Sequence, residues 1–571
     1  MTSRSSQGTA YDLIVIGAGC AGMAAALFAS LEGMKVLLLE RTQWIGGTSA
    51  LAAGALWIPN THLASGTGDT PLDAKQYLEH ATQARGSEAL RARFLSLGGQ
   101  AVGKLDAHTE VQMRAFDFHP DYLSALPGAT TSGRVLECLP FDGRRLGADL
   151  LLVRPPIPEF TVLGGMMVDR IDIGHLLKMT RSWTSFRHAA KLLRRYAGDR
   201  LRYPRGARLV MGNALVGRLL LSLRQREVPI WTRASDATLV EADGRVSGVE
   251  VTHDGRRLQL TARRGVVLAS GGFSDHPALR GRLIPTEVRH SPRAGGATGE
   301  LQQQALGLGA RLGADDGSAA FWAPVSTRRR RDGTTAVFPH FVLDRAKPGT
   351  VVVNSQGRRF VNESTSYHLF GERMLESIDG ARPNATAFLL ADHRALVTYG
   401  LGMVRPGGRG FGPFLRDGYL VRDATLEGLA RQLDIDPATL GATVDRMNRF
   451  AQSGMDEEFS RGTTAYERNL GDPAVRPNPT LGAIDTAPFY AVRLQVGDIG
   501  ANTGLVTDAD ARVLRGDEPI GGLFAVGNDM QSVMAGAYPG PGINLGPAIV
   551  FAYAAVQAAK AGAASIERKL P

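Results

Sequence analysis

Apolar and polar positions along the chain fall into three recurrent patterns. The first is a short unbroken apolar run, Leu13 to Ile16, followed by glycines at 17, 19 and 22, an alanine-rich stretch and a second apolar run ending at Glu40. Unbroken runs of that length read as buried strands and the stretch between them as a helix, so the chain opens on a βαβ unit. The second pattern is "KPGTVVVNSQGRRFVNESTSY", 347 to 367, where two strand-like runs flank Ser-Gln-Gly and predict a hairpin. The third is "DATLEGLARQLDIDPATLGATVDRMNRFAQ", in which capping residues precede apolar positions at helical spacing and predict two helices. A helix with one apolar and one basic face lies within 165–206, and "NLGPAIV" starts a helix near the end of the chain. "RPGGRGFGPF", 405 to 414, has no strand before it and reads as a loop.

Length changes the picture first: 571 residues exceed what one compact core holds, so at least two domains are expected. Cys20 and Cys138 are the only cysteines, which excludes a disulfide framework and an all-cysteine metal cage and fits a reducing compartment. No metal is expected. The first residues lack the order of a signal peptide and no run is long enough to cross a membrane, so a cytoplasmic protein is expected. The formal charge of +10 bears on solubility and steering rather than on function. "STRRRRDG", 326 to 333, reads as a solvated basic loop, and nucleic acid is not expected as a partner. The basic helix in 165–206 has two readings, contact with a membrane surface or a solvated helix packed on the first domain.

The glycines carry the first chemistry. Gly17 lets the chain turn sharply, Gly19 lets backbone N–H groups approach a pyrophosphate, and Gly22 lets helix and strand pack closely. Glu40, 23 positions after Gly17, is placed to bind a ribose hydroxyl and argues against a 2′-phosphate. A second GxGxxG is lacking, so electrons are expected to enter from an organic substrate rather than from NAD(P)H.

After Glu40 comes "RTQWIGGTSALAAGALWIPN", with Gly46, Gly47, Thr48 and Ser49 as a second small-residue loop. "GVVLASGGFS" (265–274), "GDIGANTGLVTD" (497–508) and "GGLFAVGNDMQSVM" (521–534) follow in order. In these pieces, which reach from end to end, the chain resembles the flavoprotein family of succinate dehydrogenase, fumarate reductase and the 3-ketosteroid dehydrogenases. The resemblance implies an α/β fold with a Rossmann-like FAD-binding domain made of 1–276 and 488–571, and an inserted α+β substrate domain, 277–487. It implies FAD as cofactor, held by Gly17, Gly19, Ala21, Gly22, Glu40, Arg41, Gly46, Gly47, Thr48, Ser49, Ala53 and Gly54, by Ala269 and Gly271 on the adenine side, by Gly527 and Asn528 at the ribityl chain, and by Gly542 and Leu545.

Succinate dehydrogenases attach FAD to a histidine in the glycine loop, and this chain has no histidine before His62. Covalent flavin at that loop is thereby excluded and a dicarboxylate substrate is disfavoured. What remains is the resemblance to 3-ketosteroid Δ1-dehydrogenases, which form a double bond beside a ring ketone. Such chemistry needs a polarised carbonyl, a base for the neighbouring C–H and a hydride acceptor. "AYPGPG" resembles the family's carbonyl-binding loop, which implies that Tyr538 O–H and Gly542 N–H hold the ketone, with Pro539 and Pro541 restricting φ. "NESTSYHLF" implies Tyr367 as base, and "FDFHPDYLSALPG" implies Tyr122 as the partner favouring its phenolate, with His119 as an alternative relay. Trp322 is either a flat wall for a fused-ring ligand or a core residue. The family continues its carbonyl loop with small residues and threonine, where this chain has Ile543, Asn544 and Leu545. The implied partners are a hydrophobic 3-ketosteroid and an external electron acceptor such as a quinone; a Δ4-(5α)-dehydrogenase and a fumarate-reductase-like ene-reductase are the alternatives.

Overall fold

The computed structural model describes residues 10–313, 317–342, 344–377 and 387–567. Its opening follows the apolar pattern: β1 (Ala10–Ile16), α1 (Cys20–Leu31) and β2 (Val36–Leu39) form a βαβ unit with β1 and β2 parallel. Four consecutive buried positions in β2, and ten buried residues along α1, explain why neither shows an alternation of polar and apolar residues. On its other edge β1 pairs in parallel with Arg256–Leu268, in register Ile14 to Val266 and Ile16 to Leu268. That strand pairs in turn with Glu518–Ala525, so residues more than 500 positions apart lie in one eight-stranded sheet. The C-terminal helix, Leu545–Glu567, starts within "NLGPAIV" and packs against α1.

A second, six-stranded sheet is built from residues 320–501. Phe489–Ala501 is central to it, paired antiparallel with Ala320–Arg329 on one side and with Ala387–Ala391 on the other. This strand therefore lies in the second sheet although the expected boundary falls at residue 488. Two apolar clusters cover the sheet's faces, one around Trp322, Phe370 and Leu389, the other around Val351, Leu390 and Val444. Trp322 is 3% exposed and its indole N–H donates to Ser318 Oγ at 2.9 Å, which makes it a core residue.

The expected hairpin over 347–367 is corrected. Thr350–Val353 forms, and Gly357 N–H closes a turn on Asn354 carbonyl at 3.0 Å, but the second strand does not. Thr350–Val353 pairs instead with Ala387–Ala391. The would-be second strand is claimed by charge: Arg359 is buried in ion pairs with Glu363 and Asp456, each at 2.7 Å. The two helices expected after Asp423 are Leu426–Gln432 and Pro437–Ser453, opened by Thr425 and Asp436 as N-caps. The 405–414 stretch is a loop running into a short helix, Gly412–Arg416. The arginine-rich stretch lies at the end of Ala320–Arg329 and in the turn after it, where Arg328 pairs with Asp417 and Arg330 with Glu159.

Segment 165–206 forms two helices, Arg170–Leu177 and Trp183–Arg200. Eight of the eleven exposed large apolar side chains among the described residues fall between 151 and 201, with Trp183 71% and Leu201 87% exposed. Nine Lys or Arg stand against two Asp between 170 and 202. Among the described residues no helix is long and apolar enough to cross a membrane.

Candidate active site

The glycine-rich segments converge at the carboxyl ends of the first sheet's parallel strands. Gly17 has φ +108°, and a Cβ there would stand 2.2 Å from the Ala269 carbonyl oxygen; a Cβ on Gly22 would stand 1.8 Å from the Gly17 oxygen. Backbone packing alone demands these two glycines. Gly19, Gly47 and Gly271 are different, because a Cβ on them would meet nothing nearer than 3.9, 3.7 and 3.6 Å. Their missing side chains leave an open cradle at the N-terminus of α1, whose N-cap Gly19 carries no side-chain cap. Glu40 closes one end: one carboxylate oxygen accepts from Ala18 N–H at 3.0 Å, the other from Thr42 N–H at 2.9 Å. Ser49 Oγ accepts from Cys20 N–H at 3.1 Å, which ties the second loop to the first, and Thr48 Oγ1 accepts from Ala294 N–H at 3.2 Å.

The other expected cofactor residues divide. Gly527 faces the Ala21 methyl, where an added Cβ would stand 3.0 Å away, and Asn528 lies against Gly272 and Gly500. A small cleft lined by Asn528, Ser532, Ile543, Asn544 and Ala548 continues from there. Gly46, at φ +102°, packs on Ala50 and Val216, and Gly54 packs on the backbone of Met211 and Gly212. Ala53 is exposed, Leu545 half-buried at the first turn of the last helix, and Arg41 donates to Thr298 Oγ1 at 2.6 Å. Sequence reasoning missed Asp529. Its buried carboxylate accepts from Ser270 Oγ at 2.8 Å and from Gly272 N–H at 3.0 Å, which organises the loop carrying Gly271.

Three expected tyrosines meet in the interior. Tyr538 and Tyr122 stack with ring centroids 5.8 Å apart, Tyr367 stands edge-on to Tyr538 at 4.9 Å, and Tyr122 O–H donates to Tyr367 Oη at 3.4 Å. Each is 6% exposed. Their carriers are far apart in sequence and locked together. Tyr367 is the first residue of helix Tyr367–Glu376, whose N-cap Ser366 accepts from Leu369 N–H. The Pro539 carbonyl, next to Tyr538, accepts from Tyr122 N–H at 2.9 Å and from Tyr77 O–H at 2.6 Å. Asp121 accepts from Trp57 Nε1 at 2.8 Å and pairs with buried Arg134 at 2.7 Å, which fixes the backbone before Tyr122.

Gly542 has φ +92°, and a Cβ there would overlap the Ala55 carbonyl at 2.2 Å, so glycine is obligatory. Its carbonyl accepts from Trp57 N–H at 3.2 Å. Burial raises all three phenols: Tyr538 to about 12, with Tyr367 pulling the other way, and Tyr122 and Tyr367 well above the usual tyrosine value. His119 packs its ring on Phe116 and Tyr122 and turns Nδ1 to the Pro120 carbonyl at 3.2 Å, while burial lowers its pKa. It does not bond to the tyrosines. Phe321 stands edge-on to Tyr538 and Phe341 packs on Tyr367, giving the site apolar walls. A fourth tyrosine, Tyr466, fully buried and 4.5 Å from the Tyr122 ring, was not found from sequence. So arranged, the tyrosines can donate hydrogen bonds to an oxygen, take a proton and bind an apolar ring, and the open glycine cradle can take a dinucleotide.

The FAD binding domain family model matches residues 12–545. The 4-oxocyclohex-2-ene-1-carboxylate 5-dehydrogenase of Sinomonas cyclohexanicum is 36% identical over 97% of this chain and 94% of its own length. The 3-oxosteroid 1-dehydrogenase of Mycolicibacterium smegmatis is 34% identical over 98% and 99%. Among solved structures, the 3-ketosteroid delta1-dehydrogenase of Sterolibacterium denitrificans in complex with 1,4-androstadiene-3,17-dione superposes with a TM-score of 0.89 at 35% identity, covering 97% of this chain and all of that one.

Proposed function

This chain belongs to the FAD binding domain family of flavoenzymes, and from that premise we propose that it is a 3-ketosteroid Δ1-dehydrogenase. The observation that carries the reading is the meeting of Tyr122, Tyr367 and Tyr538, the last four residues before an obligatory glycine, Gly542, in a fold that also carries the glycine cradle. Tyr538 O–H and Gly542 N–H hold the ketone oxygen, whose growing negative charge acidifies the neighbouring C–H. A phenol kept neutral by burial is suited to that donation. Tyr367, hydrogen-bonded by Tyr122, takes the proton. FAD, held non-covalently along Gly17, Gly19, Glu40, the 46–49 loop, Gly271 and Asn528, supplies the acceptor for the hydride leaving the adjacent carbon. Phe321 and Phe341 offer apolar faces to a fused-ring substrate.

The finer organisation follows from the two sheets. The first sheet is the FAD-binding unit, returning after Ala501, and the second sheet with its helices is the substrate unit between about residue 277 and that point. Electrons leave to an external acceptor, a quinone. The exposed apolar and basic helices in 165–206 bring the enzyme to the membrane surface where quinone and sterol are dissolved.

Anaerobic mixing with ketones tests the function. Bleaching of the flavin by androst-4-ene-3,17-dione with formation of the 1,4-diene supports the reading. Bleaching only by a 5α-saturated 3-ketosteroid to give the 4-ene replaces it with a Δ4-dehydrogenase, and bleaching only by 4-oxocyclohexanecarboxylate moves the substrate to single-ring ketones. Failure of all three overturns it, and oxidation of the reduced enzyme by fumarate alone would point to an ene-reductase.

A further inference from the structure

Arg345 is an unusual buried cation. It is 0% exposed, and so is Arg134, but Arg134 faces the carboxylates of Asp69 and Asp121. Arg345 spends its donors on backbone carbonyls: Nε on His340 at 3.1 Å, one terminal nitrogen on Phe341 at 2.9 Å, the other on Glu363. The guanidinium lies 5.1 Å from the Phe370 ring centre. Asp344 is nearby, but its carboxylate is already engaged by His340 Nδ1 at 2.6 Å, Gly402 N–H at 2.9 Å and the Arg345 backbone N–H at 2.8 Å. Phe341, whose carbonyl Arg345 holds, packs its ring 4.7 Å from that of Tyr367, and Tyr466, Tyr122 and Tyr367 lie in the field of the guanidinium. Tyr466 packs on Tyr122 with a buried hydroxyl that finds no partner of good hydrogen-bond geometry.

An arginine does not shed its proton, so a buried guanidinium held by neutral carbonyls is a standing positive potential at short range and low dielectric. Such a potential favours an anion among its neighbours, and the neighbours able to become one are phenols. We propose that Arg345 is a positioning residue for proton abstraction, its carbonyl-pinned guanidinium stabilising negative charge on the Tyr122–Tyr367 hydroxyl pair across Tyr466. This rests on the reading of Tyr367 as base. Before turnover one proton leaves the hydroxyl pair for solvent. The substrate C–H bond then breaks, its proton passes to the Tyr367 oxygen, and its electron pair moves towards the carbonyl held by Tyr538 and Gly542. Other groups that face the pair are Tyr538, stacked on Tyr122, and His119, whose ring is 6.4 Å from that of Tyr122; His368 faces Tyr538, and Glu467 faces Tyr466. Burial lowers the pKa of His119, whereas the Arg345 guanidinium is a permanent cation whose pull on Tyr122 opposes the burial that raises that phenol.

The test uses FAD-loaded enzyme, with Arg345→Met, Arg345→Lys and Tyr466→Phe. Two readouts are compared: phenolate absorbance near 295 nm as pH rises without substrate, taken against Tyr367→Phe and Tyr122→Phe to isolate the pair, and the pH profile of kcat/KM with androst-4-ene-3,17-dione. Arg345→Met is expected to move both the phenolate midpoint and the acid limb of kcat/KM upward by about one pH unit or more, a tenfold or larger loss near neutrality. Arg345→Lys keeps the charge and is expected to stay closer to wild type, and Tyr466→Phe to leave the midpoint within about half a unit. A midpoint unmoved in Arg345→Met, or moved equally in both arginine variants, overturns the proposal. If Arg345→Met does not fold, Arg345→Lys decides, since a midpoint raised by a full unit with the charge retained overturns it and an unmoved midpoint supports it. The titration needs no substrate, so failure of the proposed activity and failure of this proposal are read separately.

Discussion

In the proposed reaction the phenol that donates to the ketone keeps its proton, which suits Tyr538, pushed up to about 12 by burial, whereas Tyr367, raised by burial in the same direction, has to lose its proton to act as base. Two side chains of one kind, 4.9 Å apart, take opposite roles in that reading. Tyr538→Phe is expected to slow anaerobic flavin bleaching by about 10² to 10³-fold, the usual cost of one lost oxyanion donor, with FAD still bound. Hydrogen-bond order alone misleads here: Ser326 Oγ lies 2.8 Å from His340 Nε2, and His340 Nδ1 2.6 Å from Asp344, as in a hydrolase triad. All three are at most 4% exposed and Ser326 also bonds Tyr419 Oη, so the trio is scaffold. Ser326→Ala is expected to leave the bleaching rate unchanged in the same assay. Tyr122, Tyr367 and Tyr538 were legible in the sequence because each sits in a segment resembling the family. Tyr466 and Arg345 were not, because an arginine whose partners are the carbonyls of residues 340, 341 and 363 leaves no local pattern.

At the scale of elements, βαβ, paired helices and the last helix were legible, since their apolar spacing is satisfied within each element or by immediate neighbours. The hairpin at 347–367 was misread for the opposite reason. Its second half has strand-like composition, but Arg359 meets Asp456 some hundred positions on, and ionic partners at that separation cast no shadow on local periodicity. The helices Arg170–Leu177 and Trp183–Arg200 pose a further case. Ile171, Ile173, Leu177, Trp183 and Phe186 remain exposed while Asp172, Ala189 and Leu192 are buried, so the pattern was amphipathic but its apolar side is not fully spent on the core. Co-sedimentation with vesicles containing anionic phospholipid is expected to pull down the wild type and to fall severalfold for Trp183→Ala/Phe186→Ala, with residual binding lost at high salt. Equal sedimentation of both proteins would remove these helices from membrane contact.

For the molecule as a whole, the glycine segments of the proposed FAD site come from the first, middle and last parts of the chain, so bound FAD should act as a clamp on the folded state. A ligand bound only by the folded form at a hundredfold excess over its Kd adds about 2.7 kcal/mol. Stripping FAD is expected to lower Tm by several degrees and re-addition to restore it, whereas Gly19→Val, which fills the open cradle, should abolish the restoration while changing the apoprotein Tm little. The Pro539 carbonyl carries a different consequence. It receives Tyr77, 462 positions earlier, and the backbone of Tyr122, so the loop carrying Tyr538 and the segment carrying Tyr122 are joined only after residue 539 has been made. A growing polypeptide at the ribosome can fold its βαβ unit early, yet every nascent or truncated product ending before Pro539 lacks Tyr538 as well as the bond that seats Tyr122. In the proposed reaction such a product lacks both the ketone donor and the seating of the base's partner, so it is expected to leave the flavin unbleached by a ketosteroid.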